Sequence, residues 1–204
     1  MLLMGVTGSI GMGKSTIAGR LRTLGVPVCD ADAIVHELYK GEAVRGVEEA
    51  FPGTTANGKI DRKLLSLQLM ADPDGFKKLE NIVHPLVYAR EREFLNAQFE
   101  ADVSLVAIEV PLLFETYADA RFDVTMVVSA PYSVQKERVL QRPGMTEAKF
   151  EQILSRQLSD SEKRRRADFV VDTGQDVERS FAEVDAIVKS LKIRKGTAFA
   201  RYWN

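Results

Sequence analysis

The sequence holds one cysteine, Cys29, among 204 residues, which rules out an intramolecular disulfide and suits a reducing compartment. No run approaches the roughly 20 consecutive apolar residues needed to cross a bilayer. The opening stretch MLLMGVTGSI lacks the basic start, long apolar core and small-residue cleavage site of a secretory signal. A cytoplasmic protein without membrane association is expected. An excess of one charge sign is also missing: 28 Lys plus Arg stand against 29 Asp plus Glu, a formal net charge of -1. No overall field therefore draws the chain to nucleic acid or an anionic surface, and any positive site must be local. Neither a nucleic-acid partner nor an obligate protein partner is expected. Internal repeats and low-complexity tracts are absent as well. What the chain does have is apolar content, 45% hydrophobic with 10 Phe, enough for a buried core. Its length suits one compact domain with one or two small excursions.

Met1 to Val6 is an almost wholly apolar run, as in a strand buried on both faces. Ile17, Ala18, Leu21 and Leu24 then recur at helical spacing until Gly25. Val26 to Cys29 reads as a second strand, and Ile34, Val35 and Leu38 as the next helix. From Gly41 to Glu100 the segments are mostly helical, broken by Pro52, Gly53, Gly58 and Pro85, with no convincing buried strand. Strands resume at Val103 to Val110 and Phe122 to Ser129. Helices follow over Tyr132 to Gln141 and over Thr146 to Arg166, the second rich in Arg and Lys. Phe169 to Val171 is a last strand, Val177 to Leu191 a closing amphipathic helix, and the stretch after Lys192 has no readable pattern. Alternating strands and helices predict an α/β fold with a parallel sheet that binds its ligand at the carboxyl ends of the strands.

The run Gly8-Ser9-Ile10-Gly11-Met12-Gly13-Lys14-Ser15 fits G-x-x-x-x-G-K-[ST] between a predicted strand and a predicted helix, the context this phosphate-binding motif requires. Glycines let backbone N–H groups crowd around an anion at a helix N-terminus. Lys14 is expected on the β- and γ-phosphates, the Ser15 hydroxyl on Mg²⁺, and Thr16 near the α-phosphate. The loop implies a nucleoside triphosphate without naming the reaction. No guanine-reading N-K-x-D occurs, which weakens a GTPase switch, and acids at two other strand ends favour a kinase.

Asp30-Ala31-Asp32 follows the second strand. Asp32 is the candidate to orient an acceptor hydroxyl and take its proton, although Asp in this place equally suits a helix N-cap. Glu109 closes a strand where a carboxylate often holds magnesium, with Glu115 as a second possibility or either a solvated surface acid. Arg138 and Arg142 lie four apart on a predicted helix, hence on one face, and Arg156 and Lys163 to Arg166 follow. They read as a lid that neutralises charge on the transferred phosphoryl, or as a solvated helix face; Arg142 is the leading candidate.

Together these motifs resemble the dephospho-coenzyme A kinase family from Gly8 to Gly174. The carriers are T-G-S-I-G-M-G-K-S-T, the D-A-D-x-I-x-H-E-L stretch at Asp30 to Leu38, His84-Pro85, and V-P-L-L-F-E at Val110 to Glu115. Q-K-E-R-V-L-Q-R at Gln135 to Arg142 follows, then Gln157, Lys163 and Ala167-Asp168. The resemblance implies a P-loop three-layer α/β/α fold with a parallel sheet of about five strands. Its nucleotide core would comprise residues 1–40, 101–135 and 167–204, with a helical acceptor-binding insertion at 41–100 and a lid at 136–166. It implies ATP and Mg²⁺, with dephospho-CoA as the small-molecule acceptor. Asp32, Lys14 and Arg142 would be catalytic. Gly8, Gly11, Met12, Gly13, Lys14, Ser15, Thr16, Arg138 and Lys163 would meet the nucleotide. His84, Leu113 and Phe114 would join Asp32 at the acceptor, and Ser15 and Glu109 would hold the metal. Thr173 stands where the family often has Asn, and Glu109 where many members have Asp. Competing readings are another P-loop nucleoside or nucleotide kinase and a regulatory ATPase switch.

Overall fold

The computed structural model describes residues 1–204. Leu2–Thr7 forms β1, six buried residues in a row, and a strand of this kind needs cover on both faces. Along the chain follow α1 (Lys14–Thr23), β2 (Val28–Asp30), α2 (Ala31–Leu38), α3 (Ala43–Ala50), β3 (Thr55–Ala56), β4 (Lys59–Ile60), α4 (Arg62–Ala71) and α5 (Gly75–Glu100). Then come β5 (Leu105–Glu109), β6 (Val124–Ser129), α6 (Tyr132–Leu140), α7 (Glu147–Leu154), α8 (Asp160–Arg166), β7 (Phe169–Asp172) and α9 (Val177–Leu191). No helix is long and apolar enough to cross a membrane.

Contacts divide the chain into two units, residues 1–29 with 95–204, and residues 30–94. In the larger unit the strand order is β2-β5-β1-β6-β7. β1 runs parallel to β5, Leu2 opposite Leu105 and Val6 opposite Glu109, and parallel to β6; β6 runs parallel to β7. One face is covered by α1 and α9, whose Ile17, Leu21, Val184, Val188 and Leu191 join Leu2, Met4, Val6, Met126 and Val128 in one core. On the other face a Cβ at Gly5 would come 2.9 Å from the Phe122 ring and 3.3 Å from Leu113. The expected three-layer α/β/α arrangement is therefore present, with five strands.

The smaller unit begins with α2, which the sequence assigns to the nucleotide core, and its boundary at residue 94 falls inside α5. Its core gathers Leu38, Ala43, Val47, Phe51, Ile60, Leu65 and Leu69. Asn57 and Gly58 both have positive φ, 53° and 72°, and turn a short β3–β4 hairpin, as an Asn-Gly pair does. One reading of this stretch is corrected, the break at Pro85, which lies within α5 and does not end it. Proline removes one hydrogen bond, and the rest of a 26-residue helix carries on around it.

Two further corrections concern the larger unit. Thr146 to Arg166 is two helices, because Thr146 Oγ1 caps α7 at Lys149 N–H and Ser159 Oγ caps α8 at Glu162 N–H. The stretch after Lys192 is structured, with a π turn at Phe199–Trp203. Asp123 holds it: Oδ1 accepts from the Thr197 and Ala198 N–H groups at 2.6 and 2.9 Å, and Oδ2 accepts from Leu3 N–H at 2.8 Å. Hydrogen bonds to a charged acceptor contribute about 1.5–3 kcal/mol each. Asp123→Ala is therefore expected to lower stability by at least about 2 kcal/mol, read as a shifted urea midpoint with little change in slope.

Candidate active site

The phosphate loop joins β1 to α1, and two glycines set its path, Gly11 at φ 79° and Gly13 at φ 88°. Side chains rarely adopt such angles. At Gly11 a Cβ would also lie 2.5 Å from Val139 Cγ2. Gly13 is the N-cap of α1 and offers no capping side chain, and the first turn carries no acid. A helix N-terminus with unsatisfied N–H groups and a positive dipole end favours an anion. Lys14 Nζ donates to the Gly8 carbonyl at 2.6 Å, and Ser15 and Thr16 are exposed.

Side chains from elsewhere fix the loop. Thr173 Oγ1 donates to the Met12 carbonyl at 2.7 Å, and Gln135 Nε2 to the Ile10 carbonyl at 2.8 Å. The Ile10 N–H donates to Gln157 Oε1 at 3.3 Å. Arg138 donates from Nη2 to the Thr173 carbonyl at 2.7 Å and from Nη1 to Thr173 Oγ1 at 3.2 Å. Arg138 is thus bound to the loop's own support, whereas Arg142, one turn on, is exposed. A cavity of about 390 Å³ opens beside the loop, lined in part by Ser9, Met12, Gln135, Gln157, Asp160 and Arg164.

Glu109 ends β5 beside β1, buried, with Arg22 Nη2 3.9 Å from Oε1. No group of three or more His, Cys, Asp or Glu gathers to hold a metal. Magnesium bound together with a nucleotide needs none, since phosphate oxygens and water fill most of its octahedron. An exposed Ser15 hydroxyl at the head of α1 and a carboxylate at the adjoining strand end are donors of the right kind. Glu115 is committed elsewhere: its Oε1 is 2.9 Å from Lys163 Nζ and accepts the Leu158 N–H at 2.8 Å. Lys163, expected on the nucleotide, is fully buried against it. Leu113 and Phe114 are also buried, so their side chains present no surface to an acceptor.

In the smaller unit the two aspartates divide their roles. Asp30 caps α2, its Oδ1 accepting the Ala33 N–H at 3.0 Å. Asp32, in the first turn, is exposed and lines a cavity of about 520 Å³ with Val35, Tyr39, Arg62, Leu65, Ser66, Leu69 and Leu79. Arg62 lies 5.4 Å from the centre of the Tyr39 ring and bonds His36 Nδ1 at 3.3 Å. Burial raises the Tyr39 phenol above its ordinary value, with the Arg62 charge acting the other way. His84 is exposed on α5 and is not among the residues lining this cavity. Arg62 and Tyr39 escaped the sequence reading, although Asp61 before an apolar run signals the N-cap that starts α4 and places Arg62 at its first position.

Comparison with known proteins shows the family. The sequence model of the dephospho-CoA kinase family matches residues 2–178. A dephospho-CoA kinase of Rhizobium meliloti (strain 1021) is 54% identical over 193 residues, spanning 94% of this chain and 99% of that relative. One from Rhizobium etli is 53% identical over 95% of this chain and 96% of its own. Among solved structures, TT1252 from Thermus thermophilus superposes with TM-score 0.80 at 32% identity, covering 93% of this chain and 97% of that one. Dephospho-CoA kinase from Campylobacter jejuni reaches 0.70 at 26% identity, covering 93% and 96%.

Thr173→Val keeps the shape and removes the hydroxyl that holds the Met12 carbonyl. With the bond to Met12 and the one from the Arg138 guanidinium lost, ATP binding is expected to weaken by roughly tenfold or more, measured by calorimetric titration.

Proposed function

This chain belongs to the dephospho-CoA kinase family, and we propose that it transfers the γ-phosphoryl group of ATP to the 3′-hydroxyl of dephospho-CoA, the last step of coenzyme A synthesis. The observation that carries the reading is the uncapped, acid-free N-terminus of α1 with Lys14 at its head. That is a seat for nucleotide phosphates.

Lys14 swings from the Gly8 carbonyl to the β- and γ-phosphates as a point charge. Asp32 orients the acceptor hydroxyl and receives its proton, a role open to it because Asp30 already serves as the cap. Arg142, exposed and uncommitted to the core, offsets charge on the phosphoryl in flight, and Arg138 meets the nucleotide from its brace on Thr173. Ser15 and Glu109 would hold Mg²⁺, which would supply positive charge to offset that of the nucleotide phosphates. The cavity beside Asp32 receives the acceptor, and His84 is assigned to acceptor binding on the family resemblance alone.

The test is ADP release with ATP and Mg²⁺, with and without dephospho-CoA, and analysis of the product for a new 3′-phosphate. Acceptor-dependent turnover is expected. Asp32→Asn should lower kcat by about 10²-fold or more while leaving ATP affinity near its original value, and Lys14→Ala should weaken turnover and ATP binding together. ATP turnover indifferent to dephospho-CoA would reject the assignment in favour of another acceptor or an ATPase switch.

A further inference from the structure

The resemblance places Lys163 on the nucleotide, and the structure buries it completely. Its ammonium is 2.9 Å from Glu115 Oε1, on a side chain only 13% exposed. A buried ammonium persists only beside an opposite charge, and removing either member strands the other in a medium that solvates it poorly. Reaching out to a phosphate would leave Glu115 in that condition. Lys163 therefore has its counter-charge within the protein, an ion pair with Glu115 that is close but not aligned as a hydrogen bond.

What the pair holds is the turn between α7 and α8. The Glu115 oxygen that faces Lys163 also accepts the Leu158 N–H at 2.8 Å. Two residues on, Asp160 Oδ2 accepts from Ser129 Oγ at 2.8 Å, at the end of β6. One residue before Leu158, Gln157 Oε1 accepts the Ile10 N–H of the phosphate loop at 3.3 Å. Residues 157–160 are thus pinned at three points, to the phosphate loop, to the segment after β5 and to the end of β6. The Ile10 peptide is gripped on both sides, since its carbonyl accepts from Gln135.

We propose that Lys163 is a positioning residue: through Glu115 it fixes the turn 157–160, and Gln157 on that turn fixes the Ile10 peptide of the phosphate loop. Lys163 governs nucleotide affinity without touching the nucleotide. The inference rests on the ATP reading above.

The full chain, Lys163→Met, Glu115→Gln with Lys163→Met, and Gln157→Leu would be compared by ATP dissociation constant, kcat and Tm. Lys163→Met is expected to lower Tm by roughly 10 °C and to weaken ATP binding about tenfold. Adding Glu115→Gln removes the stranded charge while keeping an acceptor oxygen for Leu158 N–H. The double variant should recover most of the Tm and bring ATP affinity to within about threefold of the unaltered chain. Gln157→Leu should raise the ATP dissociation constant about three- to tenfold with little change in Tm. A double variant that regains its Tm but not its ATP affinity would mean that Lys163 contacts the nucleotide, and would overturn the proposal. So would a Gln157→Leu variant that binds ATP as before; in both cases the ATP reading stands. Should Lys163→Met alone fail to fold, the other two variants still decide. Absence of ATP binding by the unaltered chain would overturn both readings.

Discussion

An α-helix that starts without a cap leaves its first N–H groups unsatisfied, and much of the larger unit is arranged around that unfilled demand at the head of α1. The bare N-terminus is useful to an anion only if the preceding loop keeps its shape while empty. Two positive-φ glycines allow the shape without enforcing it, because glycine has more conformations to lose than any other residue. Enforcement comes from side chains far along the chain: Thr173 on the Met12 carbonyl, Gln135 on the Ile10 carbonyl and Gln157 on the Ile10 N–H. The parallel sheet is the frame that brings these together, since β1, β6 and β7 deliver their carboxyl ends in adjacent positions.

The acceptor side follows a different rule. The carboxylate proposed to act there, Asp32, sits in the first turn of a helix whose cap is provided by Asp30. One Asp satisfies the backbone, so the other need not, and two residues of the same type two positions apart acquire separate chemistry. The cavity at Asp32 also combines an apolar wall, Val35, Leu65, Leu69 and Leu79, with the Arg62 guanidinium stacked near Tyr39. Such a mixture suits an acceptor that carries both apolar and anionic parts.

The larger features were legible in the sequence because they are local. A strand buried on both faces shows as a continuous apolar run, and the phosphate loop as fixed spacing between a strand and a helix. Asn57-Gly58 was also a local signal, a turn pair whose flanking strands are only two residues each and too short to show a period. Pro85 misled for the opposite reason: proline is a breaker by propensity, and packing along a long helix overrides one missing bond. The break between α7 and α8 carries no glycine or proline to mark it; Ser155 closes α7 and Ser159 caps α8. The places of Lys14 and Ser15 at the head of α1 and of Asp32 in the first turn of α2 could be read from motif and position. Thr173 and Gln135 as supports of the loop could not, because the groups they bond lie 161 and 125 residues away.

The run Lys163-Arg164-Arg165-Arg166 shows how far composition can be trusted. Four cations in a row invite one explanation, a solvated face or a phosphate-binding one, yet their surroundings differ at every step. Arg164 is exposed. Arg165 pairs along its own helix with Glu162 at 2.7 Å, a surface contact of small energetic weight. Arg166 lies 4.7 Å from the centre of the Phe114 ring, with Asp119 at 3.5 Å, and Lys163 is buried against Glu115. Positions 163 and 166 fall on one side of α8 because helical neighbours are three or four residues apart, and that side meets the segment after β5. The charge of Lys163 can be buried only because an acid 48 residues earlier in the sequence arrives at the same place. That acid makes Lys163 part of the support for the phosphate loop, and no count of basic residues within the run carries the information.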